Sequence, residues 1–307
     1  MKLEGIHHIT AITGDARRNV DFYTRVLGLR MVKKTVNQDD TSVYHLFYAD
    51  EAGQPGADLT FFEYPGAAPG RTGAGMVHRI VYRVASDDAI AFWAQRLADE
   101  GIATRREGDS LVFADPEGLE FELLVADVPD APLIAAHPDV PAELALQGFH
   151  AVRAYSDDPE RSRELLEAAL AFEPADDAWE ARGSERGGFY AYDPAPEGPA
   201  IQGAGTVHHV AWYSATDDHE AWRERVIAAG GRPTPVIDRF WFRSIYFREP
   251  SGVLFELATP DPGFTADESL ETLGEQLVLP PAFESRRAEI EAKLTPLPHA
   301  RAARERS

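Results

Sequence analysis

Two pairs of adjacent histidines are the residues of this chain best suited to chemistry. They occur as His7-His8 and His208-His209, each at the start of a short apolar run. Each run is followed by a segment that ends in Phe-Glu, at Glu63 after the first pair and at Glu256 after the second. Two histidines and one carboxylate on rigid strands match the facial set of non-haem Fe(II) oxygenases, which leaves open coordination positions on the metal. The spacing therefore predicts a metal site.

The histidine motif belongs to a fourfold internal repeat. Four segments begin alike, at residues 5–10, 76–81, 148–153 and 206–211. Helical periodicity follows each start, at 15–27, 89–100, 159–170 and 219–229. Strand patterns come next, at 42–48, 59–64, 111–125, 188–192 and 244–257. Each unit is therefore predicted to contain a strand, a helix and three further strands.

The repeat divides the chain into two halves. We predict an α+β fold of four βαβββ modules, at 1–66, 75–126, 147–195 and 205–260, with a linker at 127–146. A C-terminal helical tail is expected at 261–307, with a frayed Arg-rich end. Only the first and fourth modules carry the second histidine, so modules 1 and 4 are predicted to pair around the metal.

Strand geometry selects one histidine from each pair. Neighbouring side chains of a strand point to opposite faces, so only one member of a pair is expected to enter a common cavity. The second position varies among the four modules as a functional site would, being His8, Arg79, Ala151 and His209 in turn. The first position is histidine in every module, at His7, His78, His150 and His208, and is expected to serve packing or to support the ligands. We select His8 and His209 as ligands.

Composition limits the remaining possibilities. The chain of 307 residues has no cysteine, so any metal must be held by His, Asp or Glu. A net charge of −21 disfavours binding to nucleic acid or to anionic membranes, and it is typical of an acidic enzyme surface or of adaptation to high salt. No apolar run is long enough for a membrane span, and no secretory signal is evident, so we expect a cytoplasmic protein. The sequence leaves open whether the chain forms homo-oligomers.

The repeat and its histidines resemble the vicinal oxygen chelate superfamily, which includes glyoxalases, bleomycin resistance proteins and extradiol dioxygenases. The segments GIHHIT (5–10), YHLFYADE (44–51), VHHV (207–210) and IDRFWFRSIYFREPSGVLFE (237–256) are similar to those of hydroquinone-cleaving dioxygenases. The resemblance implies two half-barrel domains of glyoxalase/dioxygenase fold and a small aromatic substrate, a hydroquinone or catechol, that is cleaved with O2. It also implies Fe(II) as cofactor, bound by the residues that match the family's ligands: His8, His209 and Glu256.

The resemblance further implies four catalytic residues around the metal, at Tyr246, Arg239, His208 and His7. Tyr246 is expected to relay the proton of the phenol, and Arg239 to hold the developing anion by a charge-assisted hydrogen bond. An ordinary sheet aromatic and a surface ion pair are equally good interpretations of these two residues. Four aromatic residues are candidates for the pocket wall or for the core, namely Trp212, Phe240, Trp241 and Phe242.

Two other functions remain open at this point. Glu63 takes in module 1 the place that Glu256 takes in module 4, so a set of four ligands can be written. Such a set resembles that of glyoxalase-type isomerases and lyases, which would use Mn(II), Ni(II) or Zn(II) as a Lewis acid and would need no dioxygen. A non-catalytic protein that sequesters small molecules is the third alternative, although it would have no reason to keep the metal-ligand residues in register.

Overall fold

The computed structural model describes residues 1–297 and contains the fourfold repeat. The four modules each consist of a first strand, a helical segment and three further strands. The strands of modules 1 and 2 are β1 (Ile6–Thr13), β2 (Arg30–Val36), β3 (Tyr44–Ala49), β4 (Asp58–Glu63), β5 (Met76–Val84), β6 (Thr104–Glu107), β7 (Ser110–Ala114) and β8 (Glu120–Val125). Those of modules 3 and 4 are β9 (Phe149–Ser156), β10 (Glu173–Ala175), β11 (Ala178–Arg182), β12 (Gly187–Pro194), β13 (Val207–Tyr213), β14 (Ile237–Asp238), β15 (Arg243–Arg248) and β16 (Leu254–Ala258).

The strands form two eight-stranded sheets, each built from two modules. The first sheet has the order β14-β15-β16-β13-β1-β4-β3-β2 and so joins the two ends of the chain, while the second has the order β10-β11-β12-β9-β5-β8-β7-β6. Within each module the first strand pairs in parallel with the last, and the two modules of a sheet meet through antiparallel first strands. This arrangement confirms the predicted α+β fold with two pseudo-symmetric half-barrels.

The helical segments lie where the periodicity predicts them. They include α1 (Ala16–Asp21), which continues as a π-helical turn to Val26, α2 (Asp87–Asp99) and α3 (His219–Ala228). Module 3 instead has a 3-10 turn at Pro159–Ser162 and a π-helical turn at Glu164–Ala169. Gly28, Gly101 and Gly230 follow three of these helices at φ of +71°, +72° and +82°, the left-handed conformation that glycine tolerates best at a helix end.

The central strands β1 and β5 are buried along their whole length because each has a neighbouring strand on both sides and packed side chains on both faces. The first histidine pair therefore lies on a strand that is buried throughout. After β16 the chain forms 3-10 turns and α4 (Arg287–Glu291), and the backbone of Val278 bonds to Lys34 at the edge strand β2. The predicted Arg-rich end lies outside the described residues.

No helix within residues 1–297 is both long and apolar enough to cross a bilayer.

Candidate metal centre

Each repeated first-position histidine is the extra residue of a β-bulge. In the pairing of β1 with β13, the register skips His7 on one strand and His208 on the other. The pairing of β5 with β9 skips His78 and His150 in the same way. A bulge places two residues opposite one and redirects their side chains, so strand alternation fails locally. The expectation that paired histidines point to opposite faces is therefore wrong.

The structure brings His8, His209 and Glu256 together. The Nε2 atoms of His8 and His209 are 3.3 Å apart, and Oε2 of Glu256 lies 3.2 Å from the first and 3.0 Å from the second. Metal–ligand bonds of about 2.1 Å at right angles would place three donor atoms about 3.0 Å apart. We call these residues the triad. Its spacing fits three ligands on one face of a metal ion.

The adjacent His7 determines which ring nitrogen of His8 carries the proton. His7 lies with Nε2 3.2 Å from the carbonyl oxygen of Thr259, to which it donates. The Nδ1 of His7 is then bare and accepts from Nδ1 of His8, 2.9 Å away. As a result, Nε2 of His8 presents a lone pair to the triad. The same contact joins Nδ1 of His208 to Nδ1 of His209 at 2.8 Å.

Burial disfavours the charged form of the triad carboxylate unless a positive charge lies close to it. Glu256 is fully buried, and neither of its oxygens has a hydrogen-bond donor among residues 1–297. Burial by itself raises the pKa of Glu256, but the adjacent His8 and His209 outweigh it and hold this pKa well below its ordinary value. Burial also lowers the pKa of His209. Metal binding uses a deprotonated carboxylate and neutral imidazoles, so a bound cation would supply the positive charge that favours the anionic form of Glu256.

Glu63, the possible fourth ligand, does not lie with the triad, which corrects that alternative. It pairs with Thr13 at the far end of β1, and its Oε1 accepts a hydrogen bond from Thr295 at 2.7 Å. In module 4 the partner of Glu256 is Ala211, two residues after His209. The residue two positions after His8 pairs instead with Thr60. Thr60 therefore occupies the module 1 place that corresponds to Glu256, and the alignment of Glu63 with Glu256 is wrong by three residues.

An open pocket leads to the triad histidines. It has an empty volume of about 390 Å³, which includes solvent at its mouth. Besides His8 and His209, it is lined by Asn37, Gln38, Asp39, His45, Phe47, Phe62, Arg239, Trp241, Phe242 and Tyr246. Aromatic walls with a few converging polar groups are typical of sites for small planar ligands.

Tyr246 and Arg239, both predicted from the sequence, contact each other in this pocket. The Arg239 guanidinium lies 5.4 Å from the centre of the Tyr246 ring, and that ring lies 5.7 Å from the ring of His209. Burial raises the pKa of Tyr246 well above its ordinary value, so its hydroxyl is a hydrogen-bond donor. Arg239 also forms an ion pair with Asp39 through two contacts of 3.0 and 2.9 Å.

The predicted aromatic wall is only half present. Trp241 and Phe242 line the pocket, whereas Trp212 is buried in the core against Phe172 and Phe255. Phe240 packs on Trp241 but does not line the pocket. The opposite wall comes from module 1 and consists of His45, Phe47 and Phe62, of which Phe47 and Phe62 were not predicted from the sequence. The alternation of His45 and Phe47 on one strand face was the available signal.

The second sheet has an ion-pair cluster where the first has the triad. Arg79, which corresponds to His8, contacts Glu122, the counterpart of Glu256, at 3.1 Å and also pairs with Glu107 and Glu120. His78 stacks on Tyr155 at 3.8 Å and bonds to Asp193. The Arg79 guanidinium thus partly neutralises the carboxylates that surround it in the second sheet.

Comparison with known proteins agrees with this architecture. The sequence profile of the Glyoxalase/Bleomycin resistance protein/Dioxygenase superfamily matches residues 5–123 and 148–257. The "Putative ring-cleaving dioxygenase MhqA" of Bacillus subtilis (strain 168) is 39% identical over 316 residues, covering 97% of this chain and 100% of that protein. The chlorohydroquinone/hydroquinone 1,2-dioxygenase of Sphingobium indicum is 33% identical over 308 residues, covering 94% and 95% of the two chains.

Solved structures show the same similarity. A crystal structure of a "putative dioxygenase" from Bacillus subtilis subsp. subtilis str. 168 has a TM-score of 0.89 and 38% identity, covering 97% of this chain and 98% of that one. Glyoxalase I from Zea mays has a TM-score of 0.59 at 18% identity, covering 89% and 97%, and shares the fold.

Proposed function

This chain belongs to the glyoxalase/bleomycin resistance/dioxygenase superfamily, and within it we propose that the protein is an Fe(II)-dependent ring-cleaving dioxygenase acting on hydroquinones or catechols with dioxygen. The ligands in this proposal are His8, His209 and Glu256. The relatives named as ring-cleaving and hydroquinone dioxygenases support the reaction class and favour a hydroquinone as substrate.

The observation that carries the proposal is the number of donors at the triad. Three protein donors converge at the end of an aromatic pocket, and the place that could hold a second carboxylate, as a fourth ligand, is occupied by Thr60. When bound there, Fe(II) would lower the pKa of a coordinated phenol and offer positions to both substrates. A four-ligand isomerase site would require a carboxylate in that place, so the structure favours the dioxygenase.

The chain's own residues would position and polarise the substrate. Phe62 and Phe242 border the space in front of the triad, where a flat ring could lie between apolar walls that exclude water. The hydroxyl of Tyr246 can donate a hydrogen bond to a phenolic oxygen near His209. The guanidinium of Arg239 adds a positive charge beside Tyr246, which stabilises an anionic ring.

Oxygen consumption tests this function directly. Protein reconstituted anaerobically with Fe(II) is offered methylhydroquinone, chlorohydroquinone or catechol and then mixed with air-saturated buffer. We expect stoichiometric oxygen uptake with loss of the aromatic absorbance, and no uptake with His209→Ala. Parallel loading with Mn(II), Ni(II) or Zn(II) compares the alternative metals. Absence of uptake with every substrate and metal would contradict the proposal and favour an isomerase or a sequestering protein.

A further inference from the structure

His45 is held in the pocket by three neighbours. Its ring centre lies 4.0 Å from that of Phe47 and 4.4 Å from that of Phe62. Its Nε2 lies 2.9 Å from the hydroxyl of Thr60. Two aromatic contacts and one hydrogen bond leave the imidazole little freedom to rotate, so any group that meets it in the pocket meets a fixed partner.

The tether of His45 is the residue that replaces the carboxylate ligand of module 4. The hydroxyl of Thr60 lies 2.7 Å from that of Thr10, on the strand that carries His8. Module 4 places Glu256 at this point of its own repeat, where the carboxylate meets His8 and His209. Module 1 therefore has a hydroxyl and an imidazole where module 4 has a metal-binding group.

The second ring nitrogen of His45 is free to bind a ligand. Nδ1 of His45 has no hydrogen-bond partner within the part of the chain that the structure describes, and the ring borders the same pocket as His8 and His209. The hydroxyls of Thr60 and Thr10 can donate in either direction along their chain. Nδ1 of His45 can therefore act as donor or acceptor without any heavy atom moving.

The other charged groups of the pocket are already paired. Arg239 forms an ion pair with Asp39 at the mouth, where 73% of the Asp39 side chain is exposed and solvent weakens the pair. His45 is neutral, because burial lowers its pKa well below the ordinary value. A neutral, fixed imidazole suits a neutral hydroxyl better than an anion.

We propose that His45 contacts the second hydroxyl of an aromatic diol whose first hydroxyl faces the triad, and that this contact selects diols over monophenols. The inference rests on the proposed function, because it assumes an aromatic diol in the pocket. Sites that hydrogen-bond a substrate hydroxyl reject the analogue that lacks it, since the polar group of the site is then left unpaired. His45 is thus a specificity-determining residue of the pocket.

Anaerobic binding measures this selectivity without turnover. Fe(II)-loaded protein is titrated calorimetrically with hydroquinone and with 4-methylphenol, which replaces the second hydroxyl by a methyl group of similar size. We expect wild type to bind hydroquinone at least roughly tenfold more tightly than 4-methylphenol. His45→Phe should remove most of that preference, and His45→Gln should retain part of it because the amide can still hydrogen-bond. Metal content should stay unchanged in both variants.

Two further variants separate the binding role from a structural one. His78→Phe changes a buried histidine in the second sheet, outside the pocket, and should leave the preference intact. Thr60→Val removes the tether of His45 and should weaken hydroquinone binding more than 4-methylphenol binding. Because Thr60→Val keeps the His45 imidazole itself, this variant also tests the inference if His45→Phe does not fold.

The outcomes separate failure of the role proposed for His45 from failure of the proposed dioxygenase function. If wild type cleaves diols and prefers hydroquinone, but His45→Phe keeps the full preference, the role of His45 is overturned and the dioxygenase remains. If wild type neither binds nor cleaves any diol, the proposed function fails and the inference fails with it.

Discussion

His8 and His7 share a hydrogen bond between their Nδ1 atoms, which lie 2.9 Å apart. The backbone carbonyl of Thr259 sets the direction of this bond by accepting from the other nitrogen of His7. A main-chain oxygen thereby determines that the ligand nitrogen of His8 is bare. The bulge at His7 makes the contact geometrically possible, because an unbulged strand would turn the two rings apart.

His7→Phe should lower metal affinity by roughly 10- to 100-fold, the usual effect of removing a partner that orients a ligand histidine. The ring would still fill the space beside Phe242, so the fold should be retained. Titration with Co(II) under a competing chelator gives the affinity. His78→Phe is the matched control, because His78 holds the same bulge position in the sheet that lacks the triad. Equal affinities in the two variants would contradict the assignment of the proton on His8.

Glu256→Gln and Glu63→Gln should have opposite consequences. Glu256→Gln replaces the anionic donor of the triad and should reduce metal content and affinity by more than about 100-fold, exceeding the effect of a supporting residue. Glu63→Gln should leave both unchanged, because Glu63 hydrogen-bonds Thr295 away from the triad. Elemental analysis of the purified variants measures metal content. Loss of metal in Glu63→Gln would restore the four-ligand interpretation.

Asp39→Asn should weaken substrate binding with little effect on stability. The ion pair between Asp39 and Arg239 crosses the pocket mouth and restrains the guanidinium beside Tyr246. An exposed pair contributes up to about 1 kcal/mol, so we expect KM to rise by no more than about fivefold. Steady-state oxygen uptake at low and high salt measures the effect. The difference between wild type and variant should shrink at high salt, since screening weakens the pair in wild type.

Lys33→Met should destabilise the protein strongly. The Lys33 ammonium is fully buried and contacts the carboxylates of Asp267 and Glu268 in the C-terminal segment. Asp267 also accepts a hydrogen bond from the indole of Trp241 in the pocket wall. Removing the ammonium leaves two partly buried carboxylates uncompensated, and solvent access to them lowers the expected cost to about 3 kcal/mol, the lower end for a buried pair.

Urea unfolding measures the free energy of the Lys33→Met variant. The triple variant Lys33→Met, Asp267→Asn and Glu268→Gln is the control, and it should recover much of the loss because no buried charge remains. Equal stability of the single and triple variants would contradict an electrostatic cause.

Asp115 should make stability depend on pH in the acidic range. Burial raises the pKa of Asp115 to about 6 from an ordinary value of 3.8, although Tyr23 donates a hydrogen bond to it at 2.8 Å. The folded state therefore binds the proton more tightly than the unfolded state. This stabilisation of the folded state is complete below about pH 4 and is lost as the pH rises to about 6. Since each pKa unit corresponds to about 1.36 kcal/mol, the free energy of unfolding should fall by roughly 3 kcal/mol across this window.

Asp115→Asn should flatten this part of the pH profile, because asparagine does not titrate. Urea unfolding between pH 4 and 7 gives the free energies of unfolding of wild type and variant. Their difference isolates Asp115, because the contributions of the other titrating groups are the same in both proteins and cancel. A difference that does not change across this range would contradict the raised pKa of Asp115.

Much of the fold could be predicted because local sequence repeats carry it. The four similar starts and the helix and strand periods that follow them indicated four βαβββ modules, and the predicted fold class is confirmed. The membership of the superfamily is likewise confirmed. The module boundaries and the roles of Tyr246 and Arg239 stay predictions.

The sequence by itself determined which residue types are available for a metal and placed His8, His209 and Glu256 at repeated positions. The tertiary structure decided their partners. Thr60 rather than Glu63 occupies the position on β4 that corresponds to Glu256. Strand register is set by pairing across the sheet, so a shift along the strand gives each residue a different neighbour. The bulges at His7 and His208 exist only where modules 1 and 4 meet, some 200 residues apart in the chain. Local patterns cannot encode such a contact, because it depends on how two distant strands twist and pair.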